Sequence, residues 1–147
     1  MSGWLKSAAA ARKVLIITWF GFFIFNLAII FFLYLGKWIA KDNFKAALQQ
    51  LNTCYAPYIG AITLFYWASA RKKSQRTGGQ VGTAFTLAWI CSLLWNGMLL
   101  VFLLPLLFQS GTVEESIENI RDFSPIFSWL VAGAIGFYFA NPTSASE

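Results

Sequence analysis

The spacing of its charges is what most constrains this chain. No Asp, Glu, Lys, Arg or His interrupts the sequence between Lys13 and Lys37, between Lys45 and Arg71, or between Arg76 and Glu114, and after Asp122 none follows until Glu147. Each of these runs can hold a helix of about 20 apolar residues, the length that crosses the ~30 Å hydrocarbon core of a bilayer. Composition agrees, because 58% of the 147 residues are hydrophobic and only 12% are charged, against roughly 25% charged in a soluble domain. A water-soluble fold of this size has no interior large enough for so much apolar surface.

The runs predict an all-α integral membrane protein. We expect one domain, residues 1–147, with spans at residues 14–35, 55–70, 82–108 and 125–140 arranged as two hairpins. A transmembrane barrel would instead show short segments of alternating polarity. The first run has a basic front in Lys6, Arg12 and Lys13, as a signal peptide does, but it exceeds the ~7–15 residue apolar core of such peptides and ends on no small-x-small cleavage site. It reads as a retained anchor. Residues 1–13, with Trp4, a run of alanines and three cations, are consistent with a short helix at the inner interface.

Orientation follows from the cations. Arg71, Lys72, Lys73 and Arg76 form the one dense basic run, between the second and third spans. Together with Lys6, Arg12 and Lys13 they make seven positive charges on one side, against Lys37, Lys41, Lys45 and Arg121 on the other. The positive-inside rule then puts both termini and the central loop in the cytoplasm, most simply at a bacterial inner (plasma) membrane. The loop after the third span, with Glu114, Glu115, Glu118 and Asp122, faces outward. The basic run reads first as an orientation signal and second as a site for acidic lipid or a protein partner; no nucleic-acid partner is expected.

Both outer loops are expected to contain a short amphipathic helix. Phe44, Leu48, Leu51 and Tyr55 are spaced to line one helix face, as are Val113, Ile117 and Ile120. Thr112-Val113-Glu114-Glu115 has the form of a capping box. Tyr55-Ala56-Pro57 and Phe123-Ser124-Pro125 then open the second and fourth spans, with proline in the first turn. The same order of features recurs: Gly60-Ala61-Ile62 and Gly133-Ala134-Ile135 follow those prolines, and Trp19 and Trp89 each precede Asn26 and Asn96 by seven residues. One reading is a parallel internal repeat, two hairpins related by an axis along the membrane normal. The other is the ordinary abundance of Gly, Ala and aromatics in membrane helices. The two cysteines, Cys54 at the outer mouth of the second span and Cys91 in the inner half of the third, are expected to lie far apart in depth and unpaired.

Chemistry is limited by what the spans lack. There is no histidine, and no carboxylate or cation lies inside a span. Proton-coupled transport and metal sites draw on such groups, so no catalytic residue, metal or cofactor is expected. Small multidrug exporters rely on a membrane-embedded glutamate with no counterpart here, and the acidic and arginine positions of membrane glutathione transferases are not matched. The polar mid-membrane residues are Asn26 and Asn96, expected at similar depth. They can bond to each other or to backbone within one bundle, or meet across an oligomer axis or along a polar passage. Ala56 with Gly60, and Ala132 with Gly136, have the small-xxx-small spacing of close helix packing, within one chain or between copies. Pro105 is expected to kink the third span near its outer end.

Four spans in 147 residues, termini inside, a helix starting near Tyr55-Ala56 that leads to the basic Arg71 to Arg76 loop, and a kink-prone third span resemble the RexB type of phage-exclusion membrane protein. The ending Gly136-Phe137-Tyr138-Phe139-Ala140 also resembles a Gly-Phe-Tyr-Phe-Gly close of small bacterial membrane proteins, with Ala140 for the last glycine. The RexB resemblance covers the topology of the whole chain, but in residues only Tyr55-Ala56 through the Arg71 to Arg76 loop, and carries over no functional residue. It implies an ion-permeable, membrane-depolarising protein under the control of a partner. The residues alone support a non-enzymatic, self-associating membrane protein that conducts ions, with an accessory or scaffold subunit as the alternative. A carrier or enzyme for lipid or small solutes is disfavoured by the missing acid–base groups.

Overall fold

A computed structural model describes residues 8–71 and 83–140, and all of its elements are helical. Four helices run in order: α1 (Ala8–Leu35), α2 (Lys41–Arg71), α3 (Thr83–Leu107) and α4 (Val113–Ala140). Both α1 and α3 are apolar around their whole circumference, the pattern of a helix with lipid on one side and protein on the other. In α1 the stripe Leu15, Trp19, Asn26, Ile30 and Leu33 is buried while Ile17, Ile24, Phe32 and Leu35 are exposed. Three helical segments are long and apolar enough to cross a membrane: Ala10–Leu35, Thr83–Leu107 and Val113–Phe139. By the same measure α2 falls short, because its first half is polar.

The expected short loop helices are not separate elements. Residues 41–54 and 113–124 are the first turns of α2 and α4, and Pro57 and Pro125 lie inside those helices, not at their starts. A proline forfeits one backbone hydrogen bond, but the residues before each carry the helix through. Ala47, Leu51 and Cys54 are buried on α2, and Val113, Ser116 and Ile120 on α4. The capping box is formed as expected: Glu115 N–H donates to Thr112 Oγ1 at 3.2 Å and Thr112 N–H to Glu115 Oε2 at 3.1 Å.

The hairpins close on matching turns. After α1, Trp38 N–H reaches Leu33 O at 2.9 Å and Lys37 N–H reaches Tyr34 O at 3.0 Å; after α3, Ser110 N–H reaches Pro105 O at 2.9 Å and Gln109 N–H reaches Leu106 O at 3.3 Å. This is the Schellman pattern, and its left-handed position is held by Lys37 (φ 60°) and Gln109 (φ 54°) in place of glycine. Pro105 thus sits in the last turn of α3, and its carbonyl accepts the closing bond of the turn.

Each helix packs on two others, α1 on α2 and α3, and α4 on α3 and α2; among the described residues no close backbone contact joins α1 to α4 or α2 to α3. Around the bundle the order is thus α1, α2, α4, α3, with the hairpins side by side. This corrects the axis expected for the repeat. A two-fold along the normal would set α1 opposite α3 and α2 opposite α4 across one point, and helices ~8–10 Å apart leave no room for both pairs to touch while α1 avoids α4 and α2 avoids α3.

Candidate functional site

A buried polar cluster at the middle of the bundle ties the helices together. Asn26 on α1 and Asn96 on α3 are both fully buried, and they do not meet directly. Tyr55 of α2 lies between them: Asn26 Nδ2 donates to the Tyr55 hydroxyl at 2.8 Å, which donates to Asn96 Oδ1 at 2.7 Å. Asn96 Nδ2 returns a bond to Ser92 O at 2.7 Å. The Trp19 indole N–H donates to Ser92 Oγ at 3.0 Å, and Ser92 Oγ in turn donates to Ala88 O at 2.7 Å. Tyr58 links α2 to α4 through Ser128 O at 3.0 Å.

Aromatic rings fill the space around these bonds. Trp19 stacks on Tyr58 with centroids 4.8 Å apart and meets Tyr55 edge-on at 5.8 Å, and Tyr58 tilts against Trp95 at 5.6 Å. Over about 10 Å of the bundle axis, two turns from Trp19 to Asn26, the centre is thus occupied by two tryptophans, two tyrosines and two asparagines. Within this cluster Asn26 Oδ1 and Trp95 Nε1 are buried without a hydrogen-bond partner. The bonds of the cluster join α1 to α3 directly and through α2.

Of the sequence-predicted residues, Asn26 and Asn96 are brought together within one chain, and Tyr55, the side chain that joins them, was expected at the outer mouth of the second span. Its spacing from Phe44, Leu48 and Leu51 is the signal that could have placed it inside, because that stripe continues inward. For the same reason Cys54 lies deeper than expected. With Tyr55 level with Asn96, Cys54 and Cys91 differ in depth by only about 9 Å at 1.5 Å per residue. Both are free and buried.

The small-residue pairs are not packing faces within the chain. Ala56, Gly60 and Ala132 are exposed and Gly136 is half-buried, and a Cβ added at Gly60 or Gly136 would meet nothing within 4 Å. Pro105 instead packs on the turn that follows, where a Cβ on Gly111 would come within 2.9 Å of its ring. Arg71 ends α2, and Lys72, Lys73 and Arg76 lie outside the described residues. As for the repeat, Asn26 and Asn96 are equivalent in burial, but Tyr55 is fully buried while its counterpart Phe123 is 43% exposed. Among the described residues no three His, Cys, Asp or Glu side chains gather as a metal site would require. Comparison of the chain with protein-family models, with curated proteins and with solved structures finds no match.

Proposed function

We propose that the chain is a non-enzymatic, self-associating membrane protein that crosses the bilayer four times. In this reading both termini and the Arg71, Lys72, Lys73 and Arg76 segment face the cytoplasm of a bacterial cell, and the protein sits in the inner membrane. The observation that carries it is an inside-out distribution of polarity. Asn26, Ser92, Asn96 and Tyr55 are at the centre, while large apolar side chains such as Ile24, Leu64, Leu94 and Trp129 face outward. The fourth crossing is α2. Contacts such as Trp19 with Ser92 and Thr18 with Trp89 pair the early parts of α1 and α3, so α1 and α3 begin at the same end of the bundle. α2, 31 residues long, has to bring the chain back across whatever they cross.

Among the described residues the rings of Trp19, Tyr55, Tyr58 and Trp95 fill the centre of a single copy. An ion-permeable, membrane-depolarising activity of the kind implied by the RexB resemblance therefore belongs between copies, switched by a partner at the basic segment. The deciding experiment counts copies in lipid nanodiscs and follows membrane potential after induction. Oligomers with depolarisation are expected; monomers with an unchanged potential overturn the proposal. A second reading, an accessory or scaffold subunit, is favoured by the open crevice of about 470 Å³ between the two helix turns, lined by Trp38, Asn43, Gln109, Thr112 and Glu114. Its signature is a stoichiometric partner that co-purifies, with no conductance in liposomes.

A further inference from the structure

The half of the bundle nearer the two helix turns has unlike faces. On α1 and α3, Phe25, Phe32, Leu35, Leu94 and Val101 are exposed. On α2, Lys45, Gln49 and Asn52 are exposed, and on α4, Glu118, Asn119 and Asp122. Side-chain contacts fix these at one level: Phe44 stacks on Tyr34 at 4.3 Å, Asn26 bonds to Tyr55, and Phe102 meets Phe123 at 5.4 Å. One bilayer surrounds both faces. Lipid around the apolar face brings the polar face to the same depth, where carboxylates and amides against hydrocarbon are costly. The polar face has to be turned away from lipid.

Because α2 and α4 are neighbours, their exposed flanks form one wall on the side opposite α1 and α3, and this wall is split in charge. The α2 strip has Lys41 and Lys45 against Asp42; the α4 strip has Glu114, Glu115, Glu118 and Asp122 against Arg121. We propose that the wall is the contact between two copies of this chain, related by a two-fold axis along the membrane normal that sets α2 of each against α4 of the other. This rests on the self-association proposed above and names its surface and symmetry. Such an axis keeps every residue at its own depth, and the contact is isologous, so each basic strip meets an acidic one. The bond from Asn43 Nδ2 to Glu114 Oε1, 2.7 Å, shows which residues share a level; two residues on, Lys45 faces the Glu115 to Glu118 turn of the second copy.

The wall's own ion pairs are long and exposed, and such pairs contribute little, so they can give way to pairs across the contact: Lys45 to Asp42 and Arg121 to Glu118 measure 3.7 Å and Arg121 to Asp122 3.6 Å, with every side chain more than half exposed. Further along the same faces, Ala56, Gly60, Ala132 and Gly133 are exposed, with open space at both glycines, so backbones can approach closely. The contact thus combines opposite charge at one depth with small side chains at the next.

The test is disulfide cross-linking of the full chain in native membranes, where Cys54 and Cys91 are buried and silent. Chains carrying Gln49→Cys and chains carrying Asn119→Cys, differently tagged, are co-expressed and oxidised. The mixed product is expected to dominate over either like-with-like product, while Phe32→Cys with Val101→Cys on the apolar face gives none. Adding Lys45→Glu to the Gln49→Cys chain is expected to lower the mixed product about tenfold through like-charge repulsion, and Glu118→Lys on the other chain to restore it, which also shows that both variants fold. Cross-linking through the apolar face, dominance of like-with-like products, or failure of the rescue overturns the proposed wall. Energy transfer between fluorescently tagged copies in the same membranes separates the two levels. Transfer with silent wall pairs overturns the wall alone, and no transfer overturns self-association with it.

Discussion

Tyr55 donates its hydroxyl hydrogen to Asn96 Oδ1 across 2.7 Å, so that α2 grips α3, a helix its backbone does not touch. The same oxygen accepts from Asn26 on α1, and one phenol therefore fixes the relative height of three helices. Tyr55→Phe keeps the ring and its packing against Trp19 and Phe23 but strands two buried amides. Interhelical hydrogen bonds in membranes contribute about 0.6–2 kcal/mol, and an unpaired buried group costs ~1–3 kcal/mol. A loss of about 2 kcal/mol is expected in reversible unfolding from mixed micelles. Tyr58→Phe, whose hydroxyl is only partly buried against Ser128 O, is expected to lose less. Equal losses in the two variants contradict the central role given to Tyr55.

The two hairpin turns give a prediction of opposite sign. Lys37 and Gln109 hold left-handed backbone at φ 60° and 54°, a conformation that costs an L-residue about 1–2 kcal/mol relative to glycine. Part of that gain is offset by glycine's larger unfolded-state entropy. Lys37→Gly and Gln109→Gly are each expected to raise stability by roughly 0.5–1 kcal/mol in the same unfolding assay. Gly111→Ala is expected to lower it, because the new methyl would lie 2.9 Å from the Pro105 ring, and overpacking of that kind costs about 1–3 kcal/mol.

Much of this architecture is legible in the order of residues, and the division is physical. Charge is so costly in hydrocarbon that its absence over Lys13 to Lys37 and Arg76 to Glu114 announces α1 and α3. Asn26 and Asn96 stand out for the same reason. Tyr55 does not, since a tyrosine near a span end is ordinary interfacial composition, and Pro57 reads as a helix start when in fact the helix runs through it. Whether α2 neighbours α3 or α4 is decided by packing between segments distant in sequence, and periodicity does not encode it. The small-residue faces were visible, but only the fold reveals that Gly60 and Gly133 meet nothing in their own chain.

The start of α4 is held by a reciprocal cap at Thr112 beside the buried Val113 and Ser116. The Thr112 hydroxyl accepts from Glu115 N–H while the Glu115 carboxylate accepts from Thr112 N–H, which satisfies two backbone donors the helix cannot satisfy itself. Thr112→Ala is expected to cost about 1 kcal/mol, and Thr112→Ser much less. The sensitive measurement is hydrogen exchange in the first turn of α4, where protection falls roughly fivefold for each 1 kcal/mol of local opening. Protection unchanged in Thr112→Ala shows the turn to be held by the burial of Val113 and Ser116 alone.

Orientation has its own check, independent of stability. The turns after α1 and α3 lie at one end of the bundle and the ends of α2 and α4 at the other, and the proposed topology assigns seven of the eleven cations to the side of the termini. A membrane-impermeant maleimide applied to intact cells is expected to label Ser110→Cys, which is exposed, and to spare Ser74→Cys until the membrane is opened. Cys54 and Cys91 are buried, so the parent chain is expected to stay unlabelled in both conditions and to react only after denaturation. Labelling of Ser74→Cys from outside, with Ser110→Cys protected, inverts the topology. It would also move the acidic α4 strip to the cytoplasmic side, where the negative surface potential of the inner leaflet repels carboxylates and draws in lysines. Labelling at both positions in intact cells is incompatible with hairpins that cross the bilayer, because the two turns of a crossing hairpin pair lie on one side and its basic connection on the other.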